Sequence, residues 1–200
     1  MADDPRDRMN RAVVVTGIAV HEHDELQSAR DAFDDAGRDV EELSCVIYVA
    51  PSHWGDRPSQ SAAGVCAGLR VRGQSVTALD VVEDGCGVPS SIAVGSSVLA
   101  QRGGVVLVVA DGAALVLAGT EASTGASRVA VERVLATVDS AAPIVAVLPE
   151  GRSLQPAATA IGGLLKARTD GFREVVLVTA AARGRAAAVV CHFGGRTPVH

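Results

Sequence analysis

Aromatic residues are nearly absent from this 200-residue chain: Phe33, Tyr48, Trp54, Phe172 and Phe193 are all it has. Stacking platforms for bases or sugars are therefore not expected. Lysine is scarcer still, with Lys166 alone, so arginine carries almost all the positive charge. The 18 basic residues are outnumbered by 23 acidic ones, for a net charge of −5. That balance leaves no electrostatic footprint for nucleic acid. Long apolar runs are missing as well. The longest, Val105 to Ala110 and Val175 to Ala182, stop well short of a bilayer span, so no membrane segment is expected. Cysteine is sparse and widely spaced. Cys45, Cys66, Cys86 and Cys191 show no CxxC pattern and read as reduced thiols of a cytoplasmic protein. The first ten residues are polar and mixed in charge, which fits a frayed tail and not a signal peptide.

What the chain does have is Val, Ala and Leu. It is 48% hydrophobic and 20% charged, which excludes a disordered chain. Apolar β-branched runs predict buried strands over Ala12–Val20, Cys45–Ala50, Val76–Val82, Val105–Ala110, Ala113–Ala118, Ile144–Leu148, Val175–Thr179 and Ala186–His192. Helices are predicted between them: Asp24–Ala36 closing on Gly37, Ser59–Leu69 after Pro58, Pro89–Gln101 ending at Gly103-Gly104, Arg128–Val138, and Leu154–Arg168. This alternation predicts an α/β fold with mainly parallel pairing in the centre. Each part of the chain ends in a hairpin, one around Asp111-Gly112 and one around Arg183-Gly184-Arg185. That rhythm suggests a duplicated unit. The expected organisation is a tail over 1–10, a first half over 11–120, a join near Glu121–Gly125, and a shortened second half over 121–200.

The stretch SARDAFDDAGRDVEELSCVIYVAP, Ser28 to Pro51, resembles the helix-loop-strand of thiolase-fold condensing enzymes. These are the ketoacyl-carrier-protein synthases, particularly the type III class. The likeness continues where that family has a Pro-Ser-x-Ala helix, here Pro58 to Ala63. It extends to the strand leading into the nucleophilic cysteine, here Ala78-Leu79-Asp80-Val81. The segment from Gly151 to Phe193 resembles the family's last helix and closing strand pair. The resemblance implies a thiolase-like layered fold, two shortened β-α-β halves with central helices. It also implies pairing through the strand at Val76–Val82, as a homodimer or as a heterodimer with a ketosynthase, with acyl carrier protein or acyl-CoA as further partners. A bare edge there is a liability that pairing would remove.

The departures from the family bear directly on function. The excursion that normally separates the fourth strand from a Gly-Asp-Gly-Ala strand, and helps wall the acyl pocket, is absent before Asp111-Gly112-Ala113-Ala114. The family's histidine and asparagine have no counterparts, since Leu148-Pro149-Glu150-Gly151-Arg152-Ser153 stands where both would be. The family pattern also places its cysteine on Gly85, one residue before Cys86, a displacement that a bulge between flanking glycines would restore.

Cys86 is the leading candidate for chemistry. It lies between a strand and a helix start, and helix N-termini stabilise thiolates; the alternative is a small packed hydrophobe. Glu150 stands about where the family's histidine would and is a candidate general base if desolvated, otherwise a loop charge. His53 and Trp54 occupy a loop that in the family lies toward the substrate entrance or dimer edge, so they are candidates for a binding loop, the default being a surface turn. Arg183 and Arg185 sit at the turn matching the family's glycine-rich oxyanion loop, where they are candidates to contact phosphopantetheine, coenzyme A or an acidic carrier protein, the favoured alternative being a solvated hairpin tip. His21 and His23 lack a third ligand of the right type, so no metal is expected, and Asp24 reads as an N-cap. No cofactor is expected either. Adjacent strand residues Cys191 and His192 point to opposite faces and cannot pair. Two functions compete: a non-condensing ketosynthase-like subunit acting as a chain-length-factor-like partner, and a small acyltransferase or thioesterase-like enzyme using Cys86. The missing histidine and asparagine favour the first; a stand-alone ligand-binding protein is a weaker third.

Overall fold

The computed structural model describes residues 13–50, 61–71, 75–82, 85–119, 144–147, 156–180 and 186–194. Eight strands and four α-helices follow in chain order: β1 (Val13–Val20), α1 (Glu25–Ala36), β2 (Leu43–Ala50), α2 (Ala62–Gly68), β3 (Thr77–Val82), α3 (Gly87–Arg102), β4 (Val105–Ala110), β5 (Ala113–Gly119), β6 (Ile144–Val147), α4 (Pro156–Thr169), β7 (Glu174–Ala180) and β8 (Ala186–Phe193). The strands form one mixed sheet in the order β3-β2-β4-β5-β1-β8-β7-β6. The predicted helix over 128–138 and the join at 121–125 lie outside the described residues.

Local chemistry explains the boundaries. Asp24 caps α1 by accepting from the Gln27 amide, and Gly37 closes it at φ 61°, the left-handed position glycine occupies without penalty. α2 starts at Ala62, later than the Pro58 signal implied, because the Ser61 side chain accepts from the Gly64 amide and sets the cap there. α3 begins at Gly87, two residues before Pro89, which leaves the proline inside the first turn where its missing N–H costs nothing.

The pairing corrects the expectation of a parallel centre. β4 and β5 are antiparallel, and β5 is antiparallel to β1, so the middle of the sheet is antiparallel. The parallel pairs are β2 with β3 and β4, β6 with β7, and the short contact of β1 with β8. The cause is the two-residue Asp111-Gly112 turn, which can only join antiparallel neighbours and seats β5 between β4 and β1.

Strict alternation divides the core into two layers. On one face Val46, Tyr48, Val105, Leu107, Val109, Ala114 and Val116 pack with Ala29, Ala32 and Phe33 of α1 and Val65 of α2. On the other, Cys45, Ile47, Val106, Val108, Leu115, Leu117, Val175, Leu177 and Val189 pack with Val88 and Ile92 of α3 and Ile161 and Leu164 of α4. The helices lie close. A Cβ on Gly17 would sit 1.9 Å from the Ala32 carbonyl oxygen, so α1 rests directly on β1. Helix α3 presents small residues at every fourth position, Gly87, Ser91 and Gly95, and a Cβ at Gly87 would come within 2.3 Å of Val49.

Strand β1 belongs to both ends of the sheet. It pairs with β5 along its whole length but with β8 only at Val14 and Val15. Beyond that point its Ile18 amide donates to Asp35 of α1 at 3.0 Å. Asp35 is also gripped by both terminal nitrogens of Arg168 from α4, Nη2 to Oδ1 at 3.0 Å. Asp35→Ala leaves an amide and a guanidinium without their carboxylate, and it is expected to cost about 2–3 kcal/mol. Urea unfolding measures the loss; a midpoint equal to the parent's would refute the role assigned to this contact.

Burial also sets a pH response. It pushes the Cys191 thiol up to about 12 and the Cys45 thiol up to about 11, and it raises the Cys66 thiol and the Tyr48 phenol. In the unfolded chain thiols ionise near pH 8.5. Above that pH the native state therefore holds more protons than the unfolded state, and stability falls as pH rises. Stability is expected to be flat from pH 6 to 8 and to decline between roughly 9 and 11. Cys191→Ala should shallow that decline, as read from urea midpoints across the range.

Candidate functional site

The described residues contain one of the six candidate site residues, Cys86. His53, Trp54, Glu150, Arg183 and Arg185 lie outside them. Cys86 is placed where the last residues of β3 give way to α3. Gly85 adopts φ 87°, a left-handed conformation, immediately before it. Cys86 itself is the N-cap of the sixteen-residue α3, with φ −104°, ψ 8° and no side-chain cap bond. Its carbonyl accepts from the Ser90 amide at 3.2 Å. A thiol at this position lies at the positive end of the helix dipole.

The thiol is nevertheless deep. Cys86 is 3% exposed and packs against Ala187 at the start of β8. This contact joins the two ends of the chain, because α3 touches β2 and β4 on one side and β7 and β8 on the other. The site therefore sits where the carboxyl end of β3, the N-terminus of α3 and the first residues of β8 meet.

The three described histidines all have carboxylate partners. His21 Nε2 lies 2.6 Å from Asp31 Oδ2 on α1. His23 faces Asp111 at 3.8 Å. His192 Nδ1 is 3.0 Å from Glu174 Oε2, its cross-strand partner. His192 is five residues along β8 from Ala187, about 17 Å of extended strand, and it points away from the face that carries Cys191. The chain's one asparagine is Asn10.

Two hydroxyls that sequence reasoning passed over are conspicuous. The Oγ of Ser91 and the Oγ1 of Thr179 are buried with no hydrogen-bond partner. Ser91 belongs to the small-residue seam between Gly87 and Gly95, against β2, β4 and β5. Thr179 is different. It follows Val175 and Leu177 in the inward phase of β7 and stands directly opposite Ala187 in the β7–β8 register. The signal was present in the sequence as a hydroxyl at an inward position of an otherwise aliphatic strand.

No family model and no curated protein matches the sequence. Solved structures do. Xanthomonas campestris OleA with bound lauric acid and lauroyl-CoA superposes with a TM-score of 0.68 at 13% identity, covering 90% of this chain and 99% of that one. The 3-oxoacyl-[acyl-carrier-protein] synthase III of Aquifex aeolicus gives 0.66 at 14% identity, covering 91% and 99%. The priming β-ketosynthase of the R1128 polyketide pathway gives 0.64 at 8%, covering 92% and 97%. Its structural neighbours are condensing enzymes of fatty-acid and polyketide synthesis, and the chain has their thiolase-like α/β fold.

Proposed function

We propose that the chain is a ketosynthase-like subunit of fatty-acid or polyketide synthesis that does not condense by itself and pairs with an active ketosynthase. The observation that carries this reading is the surroundings of Cys86. Decarboxylative condensation needs donors that stabilise the developing enolate and oxyanion, and family members use a histidine and an asparagine for this. Here the described histidines are engaged by carboxylates elsewhere, and the single asparagine lies at residue 10. Pairing is supported by β3, which ends the strand order with its outer edge unpaired among the described residues. Ala78 and Asp80 are exposed on it. A strand that presents unpaired backbone groups is a template for a partner strand. Acyl carrier protein or acyl-CoA are the further partners this role calls for, and the cytoplasm is the compartment that suits four cysteines held outside any disulfide. No helix among the described residues is long and apolar enough to cross a membrane.

The second reading, a small acyltransferase or thioesterase-like enzyme using Cys86, rests on one observation: the cysteine stands at the N-cap position of a long helix, which favours thiolate. Its burial argues against free reactivity.

The purified chain is expected to form no ketoacyl product from malonyl and acyl thioesters and to co-purify with a ketosynthase expressed beside it. Product from the isolated chain, or a monomer in light scattering that binds no ketosynthase, would overturn the reading. Iodoacetamide at neutral pH is expected to modify Cys86 slowly, and incubation with an acyl thioester should leave no hydroxylamine-sensitive mass increase on it. A fast, Cys86-selective adduct in mass spectrometry would put the acyltransferase first.

A further inference from the structure

We infer that Thr179 is a ligand-binding residue, its Oγ1 hydroxyl donating a hydrogen bond to the carbonyl or carboxylate oxygen of an acyl group held against Cys86. The inference rests on the acyl-related reading above and adds to it a residue and a ligand atom.

Three observations converge on it. Thr179 is 1% exposed, and its Oγ1 has no partner. Buried hydroxyls are almost always bonded, because leaving one unpaired forfeits its hydration without return. Valine would fill nearly the same volume here at no such cost, and the preceding inward residues, Val175 and Leu177, are aliphatic. The second observation is direction. Antiparallel register sets Thr179 opposite Ala187, and residues directly opposed across such a pair project from the same face with Cβ atoms about 5 Å apart. Ala187 packs on Cys86. The Thr179 side chain thus projects from the same face as Ala187, the residue that packs on the thiol. The third is the positive end of α3, capped by Cys86 itself. A helix N-terminus favours an oxygen carrying negative charge or a strong carbonyl dipole.

Together these make an oxygen-accepting corner: one hydroxyl donor, a helix N-terminus and small walls. A hydroxyl donates but is no base at neutral pH. The corner is therefore built to hold an acyl oxygen and lacks what is needed to move protons. This matches a subunit that binds acyl groups without condensing them. Free acid and thioester share the recognised atom, and the test separates them.

The experiment measures binding of decanoate and of decanoyl-coenzyme A to the full chain by titration calorimetry, with melting temperature as a second readout. The wild type, Thr179→Val and Thr179→Ser are compared. Binding of decanoate by the wild type assigns the corner to a carboxylate; binding of the coenzyme A ester alone assigns it to a thioester carbonyl. Thr179→Val is expected to melt no lower than the wild type, since it removes an unpaired hydroxyl. It should also bind the accepted probe at least tenfold more weakly, with Thr179→Ser restoring most of the affinity. A Thr179→Val protein that melts several degrees lower would make the hydroxyl structural and overturn the inference. Unchanged affinity in Thr179→Val would overturn it too, while leaving the acyl reading intact. A wild type that takes up neither probe would overturn the inference and acyl binding at this site together; pairing with a ketosynthase, read by co-purification, would stand or fall separately.

Discussion

The architecture depends on how β1 is shared. One strand is the full-length neighbour of β5 and the two-residue neighbour of β8. It therefore holds together a first set of strands, β3-β2-β4-β5, and a second, β8-β7-β6. Where β8 leaves it, something must satisfy the exposed edge, because a buried backbone amide without a partner is costly. Asp35 does so through Ile18, and Arg168 neutralises Asp35 from the opposite layer. An ion pair from α1 to α4 past the side of β1 thus ties the two helical layers at the point where the sheet parts. The charge pair is only partly buried, with side chains 20% and 30% exposed, so its desolvation cost is moderate and its bidentate geometry gives a net gain.

That junction also makes the candidate site. Among the described residues β8 meets β1 through His192 and Phe193 at its end, while its first residues lie against α3, where Ala187 packs on Cys86. The same arrangement turns the inward face of β7 toward the helix start and brings Thr179 with it. The small-residue seam of α3 matters equally. Gly87 and Gly95 allow the helix to close on β2, β4 and β5, which fixes the height of its N-terminus at the edge of the sheet. Thiol, hydroxyl and helix end therefore come from three elements far apart in the chain, positioned by packing and not by a local motif.

Most elements were legible because their physics is local. The alternation in Cys45–Ala50 and Val105–Ala110, two residues per period with both phases apolar, marks strands covered on both faces, and both layers of helices are there. Asp24 and Gly37 marked α1 because capping satisfies orphan amides and a left-handed closure within a few residues. The start of α2 was misplaced because Pro58 and Ser61 both signal a helix start, and the serine hydroxyl holds the cap. The parallel centre was misjudged because alternation of strands and helices says how a chain is segmented and not which strand slots between which.

The division into strands and helices, the Asp111-Gly112 hairpin, the paucity of aromatics and the absence of an asparagine beyond Asn10 were determined by the sequence alone, since each follows from composition or from chemistry within a few residues. The sequence alone also marked Cys86 as the residue between a strand and a helix start. Tertiary structure decided the rest. It set β1 between β5 and β8, it paired His21, His23 and His192 with carboxylates, and it placed Thr179 opposite Ala187, the residue that packs on Cys86. These contacts join segments as far apart in the chain as Val14 and His192, and no local propensity specifies them; they follow from which faces must be buried together.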